Sequence, residues 1–232
     1  MDAQKSLWRE YLEALLIAVI FATFARTYLV QAFKIPSGSM EENLLIGDHI
    51  LVNKFVYGPV SGPLERALLP QREIRHGDVV VFKFPKEPER DFIKRCVGLP
   101  GDTVEISDKV LYRNGQPVAE ESYVFHFDDR VIPSSGLVSE DFRSRDQFGP
   151  MVVPAGHYFC LGDNRDNSND SRVWGPVPES HVKGRALLVY WSRAGEVDLE
   201  PADSTGRLRQ LARSARRIFQ ETRWERTFKV VR

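Results

Sequence analysis

The chain is short of the residues that mark the commonest catalytic sites. It has two cysteines, Cys96 and Cys160, and no CxxC spacing. A four-ligand structural zinc site cannot be assembled from them alone. One disulfide is possible in an oxidising compartment, and a pair of small buried apolar thiols is the plainer reading. No GxSxG elbow, HExxH pair or GxxxxGK[ST] loop occurs. This excludes the signatures of α/β-hydrolases, zinc metallopeptidases of the zincin type and P-loop NTPases. His49, His76, His126, His157 and His181 stand singly. No histidine base is therefore marked by a nearby partner, although triad members need not be neighbours in sequence. "GDNRDNSNDSR" (162–172) carries oxygen-bearing side chains at alternating positions. An EF-hand would need glycine where Ser171 stands and glutamate where Val177 stands. The stretch reads instead as an Asx-turn network closing a polar loop.

Acidic residues are scarce at the C-terminal end. Residues 207–232 hold nine basic and two acidic side chains, against 23 basic and 30 acidic elsewhere. So basic an end favours an anionic surface, and a membrane face suits it better than nucleic acid given the N-terminus. Leu208, Leu211, Ala212, Ala215, Ile218 and Phe219 recur at helical spacing among arginines. They predict an amphipathic helix, packed on the body or lying on lipid.

Long apolar runs are also few. The one that matters is "YLEALLIAVIFATFARTYLVQAF" (11–33), whose apolar core, 14–25, is shorter than the roughly 20 residues of an ordinary spanning helix. Leu7, Trp8, Tyr28, Leu29 and Val30 extend it, and Glu13 and Arg26 sit where charged ends reach the interface. It predicts one tilted transmembrane helix. A cleaved signal peptide and a buried core helix are the competing explanations. Lys5 and Arg9 favour an inside N-terminus, against Arg26 and Lys34 on the other flank.

Beyond Ile35 the chain is a succession of strand-like runs: "HILVNKFVY", "DVVVFKF", "DFIKRCVG", "DTVEISDKVLY", "HYFCLGD" and "RALLVYW". Gly-Asp pairs at 47–48, 77–78, 101–102 and 162–163 are natural turn elements, and Asn114-Gly115 signals a two-residue hairpin. The fold is expected to be mainly β.

Two stretches carry candidate chemistry. In "DFIKRCVGLPGD", strand alternation puts Phe92, Lys94 and Cys96 on one face. An amine between a ring and a thiol is desolvated, which lowers its pKa. Lowering it from about 10.4 to about 8 costs on the order of 3 kcal/mol. A strand-edge lysine that snorkels into water is the ordinary alternative. In "IPSGSM" (35–40), a serine turn follows the apolar segment closely. A neutral lysine can activate a serine without histidine. Ser39 as nucleophile and Lys94 as base form such a pair if the fold joins them. Ser168 could hold the amine, and Ser37 could donate to an oxyanion beside the Ser39 N–H.

Together with "GDNRDNSNDSRVWGPVP", these segments resemble three boxes of the type I signal peptidase (leader peptidase) family, bacterial membrane-bound Ser/Lys endopeptidases. Their order, and their position after a hydrophobic segment, also match. The resemblance covers most of 33–192. It implies Ser39 as nucleophile, Lys94 as general base, Ser37 and Ser39 as the oxyanion hole, Ser168 as the lysine-orienting residue, and Asp170 with Arg172 as a bracing ion pair. It implies an antiparallel β catalytic core with an inserted smaller β subdomain, here preceded by the one N-terminal transmembrane helix expected from the apolar segment. No metal or cofactor is implied. The implied partners are preprotein signal peptides, cut after small residues of the Ala-x-Ala type, and the lipid bilayer, with no nucleic acid. The implied location is the bacterial cytoplasmic membrane, single-pass, with the catalytic domain on the outer side. The expected partition is a short cytoplasmic segment (1–10), an anchor (11–33), core (34–118), insertion (119–150), core (151–200) and a basic tail (201–232). Phe92 departs from the tyrosine of many relatives, and two transmembrane segments are common where one is found here. A self-cleaving Ser/Lys repressor and a binding-only membrane domain are the rival readings.

Overall fold

The computed structural model describes residues 7–24, 29–57, 72–119, 123–133, 140–194 and 219–231. The predicted tail helix, drawn from Leu208 to Phe219, lies outside them except for Phe219. Helix α1 (Leu7–Phe24) leads in, and every apolar side chain it carries is unburied. Among the described residues no helix is long and apolar enough to cross a membrane. The expected anchor also ends differently. Val30–Lys34 form strand β1, paired antiparallel with β2 (Asp48–Asn53) through five register positions. Val30, Ala32 and Phe33 stand opposite Asn53, Leu51 and Ile50 of the partner strand, so the apolar pattern at 30–33 belongs to a sheet.

The main sheet has the order β1-β2-β11-β3-β4-β9-β10, with β12 on β11. Its other strands are β3 (Val79–Phe84), β4 (Glu87–Gly98), β9 (His157–Leu161), β10 (Val177–Pro178), β11 (Val182–Ser192) and β12 (Lys229–Val230). All its pairings are antiparallel. Both faces are covered. Val79 and Val81 enter one core cluster with Ile35, Met40 and Ile50, while Val80 and Phe82 enter another with Cys96 and Cys160. This explains the unbroken apolar run of "DVVVF".

A second sheet, β7-β6-β5-β8, is built from β5 (Thr103–Ser107), β6 (Val110–Arg113), β7 (Gln116–Pro117) and β8 (Phe148–Val152). It starts well before the expected insertion at 119, because β8 returns to pair with β5. The Asn114-Gly115 hairpin forms as expected, with both residues at positive φ and Arg113 opposite Gln116. Two short helices, α2 (Glu140–Asp146) and α3 (Ser171–Trp174), complete the described structure around the site.

Candidate active site

The serine turn and the lysine strand meet. Residues 38–40 form a single 3₁₀ turn after β1, with Met40 driven into the core and Ser39 carried beside it. Lys94 projects from β4, and its Nζ lies 2.6 Å from Ser39 Oγ. The residue is 4% exposed. Phe92, two positions earlier, holds its ring 5.5 Å from the amine. Burial pushes the Lys94 amine down to about 8, with Asp170 and Asp163 pulling the other way. At neutral pH roughly a tenth of such amines are uncharged, far more than for a solvated lysine. An uncharged amine at this distance can accept the serine proton.

The pair sits at the bottom of a cleft of about 650 Å³, walled by 36–39 on one side and 90–94 on the other. Ser37 is exposed at the cleft, in an extended conformation, and its hydroxyl does not cap the turn. Among the described strands, β4 pairs with β9 only from Arg95 onward. Its earlier edge along the cleft is therefore open to an extended chain.

The 162–172 loop closes the other side. A Cβ at Gly162 would collide with Ser168 Oγ and with the Ser39 carbonyl oxygen. Glycine here leaves room for both serines to converge. Ser168 Oγ is buried and makes no hydrogen bond of ordinary geometry among the described residues, although it lies near enough to Asp170 to help lower that carboxyl's pKa. Asp170 caps α3, and pairs with Arg172 at 2.8 Å. Burial raises the Asp170 carboxyl, but Arg172 and the Gly162 N–H outweigh it and hold the group below the usual carboxylate range. Arg172 also donates to the carbonyls of Arg145 at 2.6 Å and Arg165 at 2.7 Å, tying the loop to α2.

Sequence reasoning passed over four contributors. Arg95, 1% exposed, meets Asp163, 0% exposed, through two 2.7 Å bonds. Its guanidinium lies 3.8 Å from the centre of the Tyr123 ring. Asn164 donates from its backbone to the Ser39 carbonyl at 3.2 Å and from its amide to the Gly38 carbonyl at 3.2 Å, so the loop holds the serine turn directly. Gly162 provides the space. All four lie inside the quoted segments, and membership of those segments was the available signal. Among the described residues no group of three or more His, Cys, Asp or Glu is arranged to hold a metal ion.

A buried amine against a serine hydroxyl, in a strand-edged cleft, is an arrangement in which lysine could take the place of histidine as a base. The comparisons with known proteins give the family. The family model "Signal peptidase, peptidase S26" matches residues 8–191. Signal peptidase I of Pseudomonas aeruginosa is 40% identical over 206 residues, covering 79% of this chain and 72% of that protein. Signal peptidase I of Aquifex aeolicus is 35% identical over 228 residues, covering 79% and 84% respectively. The chain belongs to the signal peptidase family, peptidase S26, and is a peptidase, which removes the binding-only reading.

Proposed function

We propose that this protein is a membrane-bound serine endopeptidase that removes N-terminal signal peptides from exported preproteins, cutting after small residues of the Ala-x-Ala type with a Ser39/Lys94 dyad. The observation that carries the dyad is the 2.6 Å contact between Ser39 Oγ and the buried, easily neutralised Lys94 amine. The preprotein lies extended along the open edge of β4, where backbone hydrogen bonds set its register. Neutral Lys94 accepts the Ser39 proton as the hydroxyl attacks the scissile carbonyl. The Ser39 N–H and the Ser37 hydroxyl stabilise the oxyanion. Lys94 protonates the leaving amine, then draws a proton from the water that hydrolyses the acyl-enzyme. Ser168 orients the amine, and the Asp170–Arg172 pair braces the loop that carries it. No nucleic acid takes part.

Membrane attachment is supported by α1, which leaves Leu7, Trp8, Tyr11, Leu15 and Ile17 all more than half exposed and buries none of its residues. Apolar surface of that extent calls for a lipid or protein cover. We place it in lipid at the cytoplasmic membrane, with the β body on the outer side, where the cleavage region of a signal peptide emerges. A preprotein cleavage assay on purified protein tests the reading. Wild type releases the signal peptide, and folded Ser39→Ala releases none. Substantial cleavage by Ser39→Ala would overturn it.

A further inference from the structure

The two cysteines are unused in the mechanism, yet they occupy a telling position. Cys96 on β4 and Cys160 on β9 are direct cross-strand partners. The Cys96 N–H donates to Asp78 and its carbonyl accepts from Gly77, each at 2.8 Å, so both face the β3 side. The Cys160 N–H donates to Ser171 Oγ at 3.0 Å. These bonds leave the two residues as a non-hydrogen-bonded pair. In an antiparallel ladder such a pair brings its Cα atoms to about 4.5 Å, with side chains close on one face. A disulfide spans Cα separations of about 4.4–6.8 Å. Both thiols are wholly buried beside Val80 and Phe82, with Cys96 Sγ 3.6 Å from the Gly98 carbonyl oxygen. They are unbonded thiols in this structure.

We propose that Cys96 and Cys160 are a disulfide-forming pair that clamps the strand bearing Lys94 to the strand leading into the 162–172 loop. Lys94 lies two residues before one cysteine, and Gly162 two residues after the other, so the bond ties together the two supports of the site. The bond forms by thiol–disulfide exchange. A cysteine thiolate attacks the S–S bond of an oxidised donor, a disulfide of the glutathione type, and gives a mixed disulfide with one donor thiol released. The second cysteine then displaces the other donor thiol. Two protein S–H groups are lost, one S–S bond is gained, and the donor leaves as two thiols. Burial, with Cys96 adjacent, holds the Cys160 thiol well above its ordinary pKa. Thiolate is scarce and shielded once β4 and β9 have closed, so the bond is set while the chain folds. Supply of the oxidant rests on the outer-face placement proposed above, whereas the geometry of the pair does not.

The test uses the full chain in detergent micelles, reduced, denatured and refolded in a buffer of glutathione and glutathione disulfide. It is then denatured without reductant, alkylated and weighed. The expected product is an unalkylated monomer lighter by two hydrogens, which takes two alkyl groups after reduction. Two alkyl groups before reduction, a retained glutathione or a cross-linked dimer would overturn the pair. The oxidised protein is expected to melt about 5–10 °C above the reduced one, a difference lost in the Cys96→Ala/Cys160→Ala variant. Equal melting temperatures would overturn the clamp. No readout involves cleavage, so failure here is distinct from failure of the peptidase reading.

Discussion

Two neighbouring cations on β4 are buried almost equally, Lys94 at 4% exposure and Arg95 at 1%, and their surroundings differ in kind. Arg95 points to the face where Asp163 awaits it, with the Gly77 carbonyl at 2.7 Å and the Tyr123 ring against it. Lys94 points to the other face and makes no ion pair among the described residues; its hydrogen bond is to a serine hydroxyl. A buried charge must be matched or given up. Arg95 is matched and ties β4 to the 162–172 loop. Lys94 is not, and its pKa falls toward the range where it can exchange protons with Ser39. Strand alternation delivers both from adjacent residues.

Exchanging each cation for methionine separates the two roles. Lys94→Met removes the base, and cleavage is expected to fall about 10³-fold or more. The same variant should be as stable as wild type or more so at neutral pH. The depression from 10.5 to about 8 corresponds to about 3 kcal/mol of burial penalty, present in full below pH 8. Between pH 8 and 10.5 the unfolded chain binds a proton that the folded lysine has lost, so wild-type stability rises with pH across that window and the variant's does not. Chemical denaturation at several pH values checks this. Arg95→Met does the reverse. It strands the Asp163 carboxylate, and unfolding free energy is expected to fall by about 3–5 kcal/mol. A Lys94→Met protein markedly less stable than Arg95→Met would break the comparison.

Gly162→Ala sharpens it with a smaller effect. The added methyl collides with Ser168 and the Ser39 backbone and must move one of them. About a 10²-fold loss in kcat is expected, with KM changed less, because the cleft walls are left alone. Steady-state kinetics on a preprotein substrate would show the split.

The four Gly-Asp pairs indicate how far the sequence could be read. At Gly47, Gly77 and Gly101 the glycine has positive φ, and the following aspartate accepts the N–H three residues before it, from Leu45, Arg75 and Leu99. These are the expected turns, fixed by local chemistry. Gly162-Asp163 follows neither rule. Its glycine makes room for two serines, and its aspartate pairs with Arg95 from another strand. The same dipeptide thus serves turn and site, and only a register set by distant strands tells them apart. The face of Lys94 was legible because alternation is local. The second sheet's extent was not, because β5 finds β8 across the intervening chain. Arg226 reads as one more charge in a basic tail, yet it folds back as an ion pair with the buried Asp48, fixing the loop behind the serine turn.

The most direct measurement is the titration of the Lys94 amine itself, by NMR of protein carrying ¹³C at lysine Cε, with Lys94→Met to assign the signal. The amine is predicted to titrate near 8. A midpoint near 10.5, indistinguishable from solvated lysine, would contradict the account.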